Sequence, residues 1–130
     1  MPEESIIVFV CEHGAAKSII AAAYFNKIAG ERGLNVHAVA RGTNPDQELS
    51  PKTVDGLERD GLRAIETKPK QLTHTDIESA QRIISFCELP KAFQDGARIE
   101  RWNNVPSVSE DYEKAREAIV QGIYRLLDTL

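Results

Sequence analysis

Cys11, His13, Lys17 and Ser18 fall within one short segment, CEHGAAKS over positions 11–18, directly after the apolar run SIIVFV. Their types and spacing point to an oxyanion. Gly14, Ala15 and Ala16 are small enough for successive backbone N–H groups to turn inward and form an anion nest. A helix starting near Lys17 adds unpaired N–H groups and the positive end of its dipole. A thiol at the mouth of such a nest is favoured as the thiolate, its nucleophilic form. Cys11 therefore reads as an anion-facing thiol rather than a core one, with Lys17 as the local cation. His13 has two readings, contact with the anion or its leaving group, and a simple loop contact. His37 on a strand and His74 in a polar turn do not read as ligands. Cys87 closes the run IISFC, where a buried, inert cysteine is the common case. Trp102 reads as edge-strand packing rather than a substrate platform, and Tyr24 as part of the core face of its helix.

The elements that must position these residues alternate between strand and helix. Ser5–Val10 is a continuous β-branched and aromatic run, as expected of a strand covered on both faces. After the loop at Glu12–Ala16, helical spacing of Ile20, Ala23, Tyr24 and Ile28 predicts a helix over Lys17–Ala29, ended by Gly30–Gly33. Asn35–Ala40 reads as a second strand, and Ser50-Pro51 as the start of a helix reaching Asp60 and closed by Gly61. The segment 62–73 is irregular with room for a short strand. A brief helix is expected at Asp76–Ala80, a strand at Arg82–Cys87 and an edge strand around Arg98–Trp102. The longest helix is expected over Ser109–Leu127, with Tyr112, Ala115, Ile119, Ile123 and Leu126 as its apolar face. This order predicts a single α/β domain over 1–130: a doubly wound parallel sheet of about four strands with helices on both faces. In such sheets ligands bind beyond the carboxyl ends of the strands, at the point where the winding reverses.

Composition narrows the partners. With 42% hydrophobic and 28% charged residues, the 130-residue chain belongs with ordinary globular proteins rather than disordered ones. No apolar run approaches the ~20 residues of a membrane span, and MPEESIIVFV carries acids where a secretory signal carries bases. A cytoplasmic protein is expected. The net charge of -4 and scattered bases argue against a nucleic-acid binder. Two distant cysteines make neither a disulfide framework nor a four-thiolate metal site.

VFVCEHGAAKS resembles the signature of the low-molecular-weight protein tyrosine phosphatases, cysteine, five residues, arginine, serine, between a strand and a helix. The superfamily includes arsenate reductases, one group of which carries the histidine and alanine matched here by His13 and Ala15. AVARGTNP, LSPKTVDGLERDGL, IISFC and RWNNVPSVSEDYEKAREAI follow the family's order and spacing. The resemblance implies the phosphotyrosine protein phosphatase I-like fold, Cys11 as nucleophile and Ser18 as its hydroxyl partner. Glu12, His13, Gly14, Ala15, Ala16 and Lys17 would form the anion cradle, with no cofactor and no metal. The implied partner is phosphate, arsenate or a phosphorylated small molecule or protein, not nucleic acid or membrane. The oligomeric state stays open.

Three departures bear on activity. Lys17 stands where the family has arginine, keeping the charge but losing the planar fork that holds two oxygens. Val105 precedes Pro106 where the family has its general-acid aspartate, and loss of such help typically costs about 10²- to 10⁴-fold. Glu110 and Asp111 are nearby substitutes, although both suit a helix start equally well. Gly14 and Ala40 hold the places of an asparagine and a serine that brace the loop. Arg41 either reaches the anion as a replacement guanidinium or is a solvated loop residue. In thioredoxin-coupled arsenate reductases a cysteine at the position of Cys87 attacks the first cysteine's adduct, but the further cysteine those enzymes need is missing from CELPKAFQDG. Three readings follow: a weakly active phosphomonoester hydrolase, an arsenate reductase resolved by an external thiol, and a non-catalytic binder of phosphate or a phosphoprotein.

Overall fold

The central strand β1 (Ser5–Cys11) is buried along most of its length because alternate residues enter two different cores. Ile7 and Phe9 join α1 (Lys17–Glu31) and α4 (Tyr112–Leu127) on one face. Val8 and Val10 meet Leu72, Ile77, Ile83 and Leu89 on the other. A strand covered on both sides has no polar face, which explains its unbroken apolar sequence. The computed structural model describes residues 5–91 and 99–130.

β1 pairs in parallel with β2 (Val36–Gly42) on one side and β3 (Ala80–Ser85) on the other, and β4 (Ile99–Arg101) continues beyond β3. The described order is β2-β1-β3-β4, so the chain winds outward from β1 through α1 and then restarts on β1's other edge. This reversal opens a crevice at the carboxyl ends of β1 and β3. α2 (Pro51–Arg59) contributes Leu57 to the larger core, and α3 (His74–Ser79) places Ile77 in the smaller one. The expected single-domain α/β sheet with helices on both faces is the observed architecture.

Phe9 anchors the larger core. Its ring meets Phe25 and Trp102 edge-on, each at 5.9 Å between centroids, and stacks on Phe86 at 6.4 Å. Such pairs contribute about 0.5–1.5 kcal/mol each beyond the area they bury. Trp102 is therefore a packing residue, with its indole N–H donated to Glu100 Oε2 at 2.6 Å.

Several boundaries differ from the sequence expectation. β3 ends at Ser85, so Cys87 lies past the strand rather than closing it, and β2 reaches Gly42. α3 starts at His74 because Thr73 and Asp76 form a reciprocal capping box. α4 starts at Tyr112 rather than Ser109, because the Asp111 carboxylate caps it by accepting from the Lys114 amide at 3.1 Å. In the irregular 62–73 stretch the sheet gains an isolated bridge, Gly42 to Gln71. Arg98 and most of the KAFQDG stretch lie outside the described residues.

Candidate active site

The loop from Glu12 to Ala16 is shaped by what accepts from its neighbours. The carbonyls of Cys11, Glu12, His13 and Ala15 accept from the amides of Thr43, Asn44, Asp46 and Ser50 at 3.2, 2.7, 3.0 and 3.0 Å. In a trans peptide the N–H points opposite its carbonyl, and no described peptide bond is cis. Hence the amides of Glu12, His13, Gly14 and Ala16 face away from the 43–50 segment. One strip of chain takes the loop's acceptors and turns its donors the other way.

Two glycines allow this arrangement. Gly14 has φ +62°, the left-handed region, and its backbone lies against Gly42. A Cβ at position 14 would stand 3.0 Å from the Gly42 nitrogen, and one at position 42 only 2.7 Å from the Gly14 nitrogen. Where the resemblance has an asparagine, this chain has a glycine, which takes the left-handed turn without a side chain.

The start of α1 adds to the donors. Its N-cap is Ala16, with no side-chain cap and no acid in the first turn. α2, α3 and α4 are capped by Ser50, Thr73 and Asp111. The first N–H groups of α1 thus gain no side-chain acceptor, which leaves the positive end of that helix available to an anion.

Cys11 and Ser18 come together here, with Sγ and Oγ 3.0 Å apart and both residues buried. Lys17 donates Nζ to the Val105 carbonyl at 3.1 Å, tying the start of α1 to the segment before Pro106. A cavity of ≈ 330 Å³ opens over the loop, bordered by Cys11, Glu12, His13, Ala15, Ala16, Lys17, Asp46, Ser50, Phe86, Cys87 and residues 107–109. His13 Nδ1 lies 3.2 Å from Asp46 Oδ1.

Cys87 is half-buried, lies past the end of β3 and lines the same cavity as Cys11, so the buried strand placement expected from the sequence is corrected. It reaches that place because β1 and β3 are adjacent and the chain continues past Ser85, whose hydroxyl accepts from the Cys87 amide at 3.2 Å. Burial pushes the Cys87 thiol up from its ordinary value. The Ser85 hydroxyl opposes the rise, and the nearby Cys11 charge adds to it.

Other candidates are not brought to the cavity. Arg41 is neither solvated nor at the cavity: its guanidinium bonds Glu66 Oε1 at 2.9 Å and Asp76 Oδ2 at 3.1 Å, and its side chain is 15% exposed. Alternation along β2 sends it to the face away from Ala40, whose amide donates to Glu66 Oε2 at 3.0 Å. Asp111 is committed as a cap. Val105 is buried in the larger core, so its side chain packs rather than facing the cavity. His37 and His74 do not border the cavity. Asp46, Ser107 and Ser109 do, and sequence reading missed them. The turn-rich RGTNPDQEL, following a strand beside β1, is the signal that a loop would reach this end.

The family model for low molecular weight phosphotyrosine protein phosphatases matches residues 6–102. The chain belongs to this family. The matched span holds the Cys11 loop and Cys87 but stops before Val105-Pro106. No curated protein matches significantly. Among solved structures, YfkJ from Bacillus subtilis is 20% identical with a TM-score of 0.86, over 98% of this chain and 95% of that one. The low molecular weight phosphotyrosine phosphatase VcLMWPTP-2 from Vibrio cholerae is 17% identical (TM-score 0.80), covering 96% of this chain and 95% of its own. An arsenate reductase from Archaeoglobus fulgidus is 21% identical (TM-score 0.76), covering 94% and 98%. At these identities the structures share the fold. No helix among the described residues is long and apolar enough to cross a membrane.

Proposed function

We propose that this family member is a cysteine-dependent phosphomonoester hydrolase. The observation that carries the reading is the loop's one-sided hydrogen bonding. Four carbonyls are taken by the 43–50 segment, and the opposed amides remain to hold an oxyanion beside Cys11. The cap-free start of α1 extends that donor set, and Lys17 supplies charge at its edge.

In this reading the Cys11 thiolate attacks phosphorus. The S–P bond forms as the bond to the leaving oxygen breaks, and water later hydrolyses the phosphocysteine. Ser18, 3.0 Å from the sulfur, stabilises the thiolate as it forms and as it leaves. Lys17 Nζ has three donors, one of them engaged by Val105, so it holds the phosphoryl group as a point charge rather than a fork. Free thiols lining one cavity suit a reducing compartment, and we assign the activity to the cytoplasm. The test is turnover of 4-nitrophenyl phosphate by wild type and Cys11→Ser, with phosphate protection of Cys11 against alkylation as the binding readout. Protection and a Cys11-dependent rate are expected; equal rates in the two proteins sink the proposal. Protection without turnover identifies a non-catalytic binder.

The placement of Cys87 in the Cys11 cavity favours a second reading, arsenate reduction. Cys11 would displace an oxygen of arsenate, and a second thiol, Cys87 or a small external one, would attack the Cys11 sulfur. The S–As electron pair then stays on arsenic, releasing arsenite while the two sulfurs become a disulfide. Arsenate turnover with a small thiol tests it, and no arsenite under any reductant removes it.

A further inference from the structure

The hydrolase reading leaves the leaving oxygen without a proton donor, since position 105 is a buried valine. Titratable side chains bordering the cavity are Cys11, Glu12, His13, Lys17, Asp46 and Cys87. Cys11 is the nucleophile and Lys17 is bonded to the Val105 carbonyl. Burial holds Cys87 as a thiol, a poor match for rapid proton transfer at neutral pH. The rest are Glu12, His13 and Asp46, and the last two form a unit.

His13 and Asp46 are joined twice. The Asp46 amide donates to the His13 carbonyl at 3.0 Å, and the Asp46 carboxylate lies 3.2 Å from His13 Nδ1. An acceptor at Nδ1 makes that nitrogen the fixed donor and leaves Nε2 as the position that exchanges a proton. The His13 side chain is 54% exposed, placing it at the open side of the cavity. Attack in line by the Cys11 sulfur puts the leaving oxygen on the side of the phosphoryl group opposite that sulfur, toward the open side of the cavity. The Glu12 carboxylate is 3.9 Å from Nε2 and more exposed still, at 64%.

We infer that His13 is the proton donor to the leaving oxygen, with Asp46 as its positioning residue. The inference rests on the hydrolase reading. As Cys11 attacks, the P–O electron pair passes to the leaving oxygen, which takes the proton from Nε2. In the second step neutral Nε2 accepts a proton from the attacking water, the P–S bond breaks, and the sulfur leaves as thiolate. The dyad does work assigned in the family to an aspartate on the far loop, from the nucleophile's own loop.

A comparison of leaving groups tests this in the full chain. Phenyl phosphate must expel a phenolate whose acid has a pKa of about 10, whereas 4-nitrophenyl phosphate expels a stable anion that needs no proton. His13→Gln is expected to lower kcat/KM on phenyl phosphate about 100-fold and on 4-nitrophenyl phosphate by less than about tenfold. Asp46→Asn is expected to shift the same ratio in the same direction by a smaller factor. Phosphate protection of Cys11 confirms that each variant keeps its loop. Equal losses on both esters, or Glu12→Gln reproducing the His13 pattern, overturn the assignment while leaving the hydrolase reading in place. A His13→Gln protein that has lost phosphate protection assigns His13 to loop structure and also overturns it. Absence of any Cys11-dependent rate on either ester removes both.

Discussion

Asp60 and Cys11 mark two opposite treatments of polar groups in one small fold. At Asp60 every charge has an answer. Tyr24 and Tyr112 donate to Oδ2 at 2.6 and 2.9 Å, and Arg116 to Oδ1 at 2.9 Å, clasping α1, α2 and α4 together. At the Cys11 end the matching is one-sided: the loop's carbonyls accept from the 43–50 segment, and the amides opposite them face away from it. A closed polar network stabilises a fold, whereas surplus donors around a cavity await something brought from solution. The two regions should therefore fail differently.

The sharpest break is Val105→Asp. Restoring the acid that the family pattern suggests would bury a carboxylate in the larger core, costing about 3 kcal/mol and rescuing no activity. Thermal unfolding and phenyl phosphate turnover read both effects. Asp60→Ala follows, with a stability loss of about 2–3 kcal/mol after allowing for the partial exposure of Arg116. Phosphate protection of Cys11 in the folded protein should be unchanged, since the clasp does not touch the loop. Gly42→Ala differs from Asp60→Ala in touching both properties, because the new Cβ meets Gly14 backbone. A stability loss of about 1–3 kcal/mol is expected, together with phosphate protection weakened about tenfold, roughly 1.4 kcal/mol.

The smallest effect is in pH. Burial alone would raise the Asp60 carboxyl, but bonds from Tyr24, Tyr112 and Arg116 outweigh it and hold the carboxyl below its ordinary 3.8. Its contribution is present above that value and fades as pH falls through the lowered one. Tyr24 is pushed up from 10.0 to about 12 by burial and then by Asp60. That contribution is complete below pH 10 and lost as pH climbs toward 12. Denaturant unfolding across pH, with Asp60→Ala as control, should show the clasp's share level at neutrality and falling at both ends.

Much of the fold was legible because periodicity reports burial. The unbroken run of β1 and the 3.6-residue stripe of α4 each state which faces are covered. The loop's chemistry was legible for a local reason, since small residues, a thiol and a helix start are contiguous. What was hidden depends on partners far along the chain. Arg41 looks free until Glu66 and Asp76 are folded onto it. Val105 stands where the family pattern has an acid, but that its side chain packs into the core shows only in the fold. Asp46 becomes interesting only when its backbone is hung on His13. Cys87 was misplaced because the apolar run IISFC continues past the point where β3 stops.

The contact between Gly14 and Gly42 has a further consequence for how this sequence can change. Each position occupies the space that the other's side chain would need, so substitutions there compete for a single volume. The second replacement then meets a backbone already displaced by the first, and the two costs cannot simply add. Across relatives the pair should vary as one locus rather than two. A side chain at 14 is admissible only on a backbone that has already withdrawn at 42.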